Sequence, residues 1–215
     1  MRTPPWPGHP GGVAPELLKL RDGRVVTVRP FERRDRPLLE AAIRRLSDDS
    51  RYLRFASPRV LNERDLDRLV DIDHHDHEAL LAVDPLTRRG VAVVRYVQLV
   101  GDRGVVEFAA TVADDWQGIG LGSALLTRLT QRARDEGYAA LRASVLAVNR
   151  RAIAMLRRAG FRRRSGTGVL LEYELALVVS SGSSVGSGDF APRLVAQRGG
   201  GRNPAGEEEC GLAQR

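Results

Sequence analysis

The stretch VVEFAATVADDWQGIGLGSALLTRLTQRARDEG, residues 105–137, changes its apolar period partway along. In its first part Val106, Phe108, Ala110 and Val112 alternate with Glu107, Ala109 and Thr111, the two-residue period of a strand. From residue 121 onward Leu121, Leu125, Leu129 and Ala133 recur at every fourth position. Arg128, Gln131, Arg132 and Asp135 fall on the other side, which predicts an amphipathic helix stopped by Gly137. Gly118, Gly120 and Gly122 separate strand from helix. Such a unit presents amide N–H groups, bare of side chains, at a helix N-terminus, where they suit an anion. The alternative at this level is a plain glycine-rich turn.

Two common phosphate motifs do not fit. A dinucleotide fingerprint needs a third glycine where Ser123 stands, and no acidic residue ends a second strand at the required distance. An ATP or GTP loop needs Gly-Lys-Ser/Thr, and the only lysine of the chain is Lys19. A strand-loop-helix unit remains, which fits a pyrophosphate on main-chain amides or a plain glycine-rich turn.

The rest of the chain is consistent with one ordinary domain in 215 residues. Residues 1–18 are rich in proline and glycine, and residues 179–215 are rich in serine and glycine with a short acidic run; both are expected to be disordered. Between them, over 19–178, RVVTVRP reads as a strand and the spacing of Leu38, Leu39, Ala42, Ile43 and Leu46 as a helix. A second helix is predicted over Glu63 to Val70, capped by Asn62. ALLAV at 79–83, VAVVRYVQLV at 91–100 and VVEFAATVA at 105–113 read as strands, with GDRG as the turn between the last two. LRASVL is a further strand. A helix capped by Asn149 follows, ended by Gly160 with Phe161 folding back, and GVLLEYELAL closes the sheet. The alternation predicts an α/β (α+β) domain, a central mixed sheet with helices on both faces.

Composition excludes several classes. The single cysteine, Cys210, lies outside 19–178, so no disulfide framework, CxxC metal site or cysteine nucleophile is expected there. No apolar run reaches membrane-spanning length and the N-terminus lacks a signal-peptide core, which points to the cytoplasm and to no membrane partner. The net charge of +7 comes almost wholly from scattered arginine with only 5% aromatic residues, a poor match to a nucleic-acid-binding stripe. His74, His75 and His77 in DIDHHDHE lack metal-site spacing, so no metal is expected.

Two motifs in register carry a resemblance. VADDWQGIGLGSALL is similar to the acetyl-CoA loop of the GNAT N-acetyltransferases, Gln/Arg-x-x-Gly-x-Gly/Ala, with Gln117, Gly120 and Gly122 in place. NRRAIAMLRRAGF, residues 149–161, resembles the family's Asn-x-x-Ala helix ending in Gly-Phe. LSDDSRYLRFASPR and DIDHHDHEALLAV look most like the GNAT domains of bacterial protein lysine acetyltransferases.

The resemblance implies a GNAT-like domain that moves an acetyl group from acetyl-CoA directly to a primary amine, such as a protein lysine or a small molecule. Main-chain N–H groups of Gln117, Gly118, Ile119, Gly120, Leu121 and Gly122 would hold the CoA pyrophosphate, with Ser123 adding its hydroxyl. Val112 and Ala113 would give the pantetheine arm main-chain hydrogen bonds, and Asn149 would face the same arm besides capping its helix. Glu107 matches the family's glutamate and would be the general base; a structural ion pair, for instance with Arg95, is the alternative. Tyr52, Phe55 and His77 would border the acceptor mouth. Leu156 stands where many members carry the tyrosine that protonates the departing thiolate. A non-catalytic acyl-CoA-binding module and an arginine-rich nucleic-acid binder are the other readings.

Overall fold

The structure, a computed structural model, describes residues 15–55, 61–166 and 168–177. Eight strands and five helices follow in the order β1 (Glu16–Lys19), β2 (Val25–Pro30), α1 (Arg36–Arg44), α2 (Asp48–Phe55), α3 (Glu63–Val70), β3 (His77–Val83), β4 (Gly90–Leu99), β5 (Asp102–Val112), α4 (Leu121–Asp135), β6 (Ala140–Leu146), α5 (Arg150–Arg158), β7 (Arg162–Ser165) and β8 (Leu170–Ala176). They form one sheet in the order β1-β2-β3-β4-β5-β6-β8-β7. All neighbours are antiparallel except β5 and β6. The exception follows from the chain path, since α4 is a crossover that returns β6 beside β5 in the same direction.

Alternation sorts side chains onto two faces. Val94, Tyr96, Val106, Phe108, Leu141 and Ala143 point to one, where they pack with the buried Leu121, Leu125 and Leu129 of α4 and Leu156 of α5. On the other face Ala79, Leu81 and Val93 pack with Phe31, Leu39 and Ile43 around α1 and with Leu66 and Val70 of α3. This second layer covers only the β2–β4 end of the sheet. Beyond it the same face carries Glu107 of β5, Arg142 and Ser144 of β6, and Glu172 and Glu174 of β8, which their registers place side by side.

Three elements were not legible in the sequence. β1 lies partly in the proline- and glycine-rich stretch read as unstructured; its rungs come from pairing Glu16–Lys19 with Val25–Val28, a contact that local pattern does not show. α2 has no buried residue and so no apolar stripe to announce it. β7 reads RRRS and pairs at the sheet edge, fully exposed. The turn after β4 is also tighter than GDRG. Leu99 already pairs with Asp102, leaving Val100 and Gly101, whose φ of +89° needs glycine. The expected tail, residues 179–215, and residues 1–14 lie outside the described residues.

Candidate active site

β5 and β6 are bonded over only three residue pairs, Val105–Ala140, Val106–Leu141 and Glu107–Arg142. β5 continues to Val112 and β6 to Leu146, so the strands part just beyond Glu107. Glu107 therefore stands where the cleft between them begins. Its Oε1 accepts a hydrogen bond from Ser144 Oγ at 2.8 Å. Burial pushes its carboxyl above the ordinary carboxylate range, an effect that Ser144 and the charge of Arg54 only partly offset. The ion pair with Arg95 does not form: Arg95 is 5% exposed, and its Nη1 donates to the carbonyl of Leu69 at 2.7 Å.

At the far end of β5 the chain turns through a short 3-10 segment, Asp114–Trp116, into the glycine loop. Asp114 fixes this corner. Its carboxylate accepts from Ser47 N at 2.7 Å and from the Ser50 hydroxyl, and the Gln117 amide joins it at 3.0 Å while also donating to Val112 O at 3.1 Å. The Gln117 main-chain N–H bonds Asp114 O at 3.2 Å, so Gln117 holds the loop by its side chain and not as an amide donor to an anion. Ala113 is occupied likewise: its N–H bonds Val91 O at 2.9 Å and its carbonyl accepts from Trp116 N. By strand alternation the N–H of Val112 points the other way, into the cleft.

From Gly118 to Ser123 no main-chain N–H has a partner among the described residues. Gly118 and Gly120 hold φ of +80° and +97°, and Gly120 begins α4 with no side-chain cap. A Cβ at Gly120 would meet Arg21 Nε at 3.3 Å, and one at Gly122 would meet Met155 Sδ at 3.3 Å. An uncapped helix start with bare amides fits a pyrophosphate. Asn149 Oδ1 caps α5 through Ala152 N at 3.0 Å. Leu156 is buried in the core and offers no acid.

The expected acceptor residues are only partly brought together. Tyr52, 41% exposed, and Phe55 belong to α2, which lies along β5: Arg54 Nε donates to Thr111 Oγ1 at 3.0 Å. His77 pairs with Val97, which pairs with Glu107, so it lies two strands away on the same face. Its Nδ1 is 2.7 Å from Asp71 O, and burial, then Arg95, lowers its pKa. His74 and His75 turn instead to Glu78 and Glu136, at 2.8 and 2.6 Å, and the three rings do not converge. Sequence reading missed Arg54, Ser144 and Asp114. Ser144 was within reach, since it alternates with the apolar residues of LRASVL; Arg54 was hidden in a helix without a stripe.

A parallel pair that parts, an amide cradle at the start of the next helix and a desolvated carboxylate where the cleft begins define a fold and site of the acyl-CoA-dependent transferase kind. The profile of the Acetyltransferase (GNAT) family matches residues 41–161, and the chain belongs to that family. It is 36% identical over 139 residues to Acetyltransferase PA5475 of Pseudomonas aeruginosa, covering 61% of this chain and 72% of that protein. It is 31% identical over 121 residues to Acetyltransferase Pat of Mycolicibacterium smegmatis, covering 53% of this chain and only 36% of Pat. Among solved structures the GNAT domain of S. lividans PAT superposes with a TM-score of 0.69 at 30% identity, over 75% of this chain and 96% of that one. GNAT acetyltransferases use acetyl-CoA. No helix among the described residues is long and apolar enough to cross a membrane.

Proposed function

We propose that the chain transfers an acetyl group directly from acetyl-CoA to a primary amine in the cytoplasm, with Glu107 as general base. The observation that supports this best is the position of Glu107: partly desolvated, free of any arginine salt bridge among the described residues, and set where β5 and β6 part. An alkylamine near pKa ~10.4 is almost wholly ammonium at neutral pH and must lose a proton before it attacks. A carboxylate with a raised pKa is the better proton acceptor for that task. Bound acetyl-CoA supplies the thioester. The main-chain N–H groups of residues 118–123 hold the pyrophosphate, with the Ser123 hydroxyl beside them; the Val112 N–H orients the pantetheine arm, and Asn149, its Oδ1 engaged in the cap, turns its amide NH2 to the same arm. Glu107, directly or through water, takes the proton the ammonium must lose; the neutral nitrogen then bonds to the acetyl carbon, the carbon–sulfur bond breaks, and the second proton leaves the nitrogen for solvent. CoA leaves as the thiolate. With pKa ~8.5 it takes its proton from solvent, which a leucine at 156 permits. Transfer is direct because 19–178 contains no cysteine to carry an acyl group.

A protein lysine belongs to this class of acceptor, in keeping with the likeness of 46–59 and 71–83 to lysine acetyltransferase domains. Tyr52, Phe55 and His77 border the acceptor side. The test is thiol release from acetyl-CoA against a panel of amines. Tight acetyl-CoA binding with no amine-dependent release would leave a non-catalytic acyl-CoA-binding module.

A further inference from the structure

Nearly every arginine that the fold withdraws from solvent has an acidic partner. Arg29 binds Asp35, Arg128 binds Glu16, Arg132 binds Glu78 and Arg142 binds Glu174. Arg54 and Arg95 are the exceptions among the described residues. Arg95, 5% exposed, has only a neutral carbonyl, Leu69 O, and the His77 ring at 3.5 Å. Arg54, half-buried, has the Thr111 hydroxyl and lies over the Phe55 ring at 4.8 Å. The residues that follow it, Ala56 to Val60, contain no acid.

Register places these two cations together. Glu107, Ala109 and Thr111 share one face of β5; Arg95 pairs across from Ala109, and Arg54 is anchored on Thr111. Arg95 thus stands across from Ala109 with its guanidinium turned to Leu69 O and His77, and Arg54 stands at Thr111, the next residue on the face that carries Glu107. Their charges act on each other: burial and then Arg54 push Arg95 down to about 9, and burial pushes Arg54 down to about 10 against the pull of Glu107. Both are still cationic at neutral pH. A withdrawn guanidinium without a counter-ion is costly, and the planar fork of arginine suits a carboxylate.

We infer that the acceptor amine carries a carboxylate, bound by Arg54 and Arg95 beside Glu107, so that the substrate class is amino acids or related amine–carboxylate compounds. The inference rests on Glu107 being the base of the proposed transfer, and it narrows the acceptor away from lysines in neutral or basic protein segments.

The test compares matched amines in the full-length protein: α-amino acids, β-alanine and γ-aminobutyrate, each against its amide and its decarboxylated amine, with O-phosphoethanolamine and a lysine peptide as further arms. The carboxylate form should have kcat/KM about tenfold or more above the other two, the size of a charge-assisted hydrogen bond. Arg54→Gln and Arg95→Met should erase that preference while acetyl-CoA affinity stays within about twofold. Amides, decarboxylated amines, the phosphate or the peptide used equally well or better would overturn the inference, and that comparison needs no variant to fold. If no amine releases thiol, the transfer reading fails first. Calorimetric titration of the same amino acids into CoA-saturated protein then decides the carboxylate site by itself, and absence of binding overturns it.

Discussion

The hydroxyl of Ser144 on β6, two residues past Arg142 of the last rung that joins the two strands, reaches across to Glu107 on β5 at 2.8 Å. It is the one hydrogen bond to that carboxylate among the described residues, and it favours the charged form. Ser144→Ala removes it, so the Glu107 pKa should rise further. The acid limb of the kcat/KM profile should then move to higher pH, with the rate at high pH nearly restored. An unmoved limb would mean that Glu107 does not set it.

Glu107→Gln keeps the size of the side chain but takes no proton. The rate at neutral pH should fall about a hundredfold or more, and acetyl-CoA affinity should hold, because the cradle lies at the other end of β5. As pH climbs toward the amine's own pKa the deficit should shrink. A loss under about threefold across that range would assign the glutamate a structural role and send the proton by another route.

Gly120 occupies a left-handed conformation, φ +97°, at the first turn of α4. Gly120→Val should destabilise the fold by about 1–2 kcal/mol and raise the Kd for CoA about tenfold or more, since a β-branched residue resists the left-handed backbone that aims the bare amides. Arg21 can swing aside, so clash inside the protein is the smaller part of the effect. Denaturant unfolding and calorimetry measure the two effects separately. Normal CoA affinity would remove the phosphate-cradle reading.

Asp35, 4% exposed, bonds both Arg29 Nη1 and Nη2 at 2.6 Å and accepts the Glu32 N–H at 2.8 Å, tying β2 to the start of α1. Burial alone would raise its pKa, but Arg29 and the Glu32 amide together bring it below the ordinary value. A depressed folded-state pKa gives stability that is complete above the unfolded value, ~3.9, and is lost as pH falls through the folded one. Asp35→Asn should therefore cost about 3 kcal/mol at pH 7, and the gap to wild type should narrow below about pH 4. Urea unfolding at both pH values checks it; a gap independent of pH would put the loss down to packing.

The elements with a period were legible in the sequence. α4 carries Leu121, Leu125 and Leu129 to complete burial, and the Asn62 and Asn149 caps form as their spacing implies. The place of Glu107 in its strand was legible too, as the one charge within the alternating stretch 105–112. What sequence could not show depends on register or on partners distant in the chain. β1 needs β2, Asp114 gathers Ser47 and Ser50 from 64 or more residues away, and Arg54 gains meaning only once β5 lies beneath it. The amides of Gln117 and Ala113 are a subtler case. Their residue types fit the cradle and the arm, yet both N–H groups are closed by local turns and by β4, which no spacing rule reveals.

Among the described residues, three rungs between β5 and β6 and the adjoining bond from Ala139 N–H to Gly104 O make up the main-chain bonding that joins β5 to β6, and with it the β1–β5 part of the sheet to the β6–β8 part. Mechanically this is a seam, and everything past Glu107 and Arg142 is an unfastened edge on either side. A ligand whose amide-rich arm lies in that opening would act as a stitch, supplying partners to amides such as that of Val112 which the protein leaves open. Cofactor loading would then stiffen the join itself, and the slowing of amide exchange should be greatest along Phe108–Val112 and Ala143–Leu146, with little change in the β1–β2 hairpin.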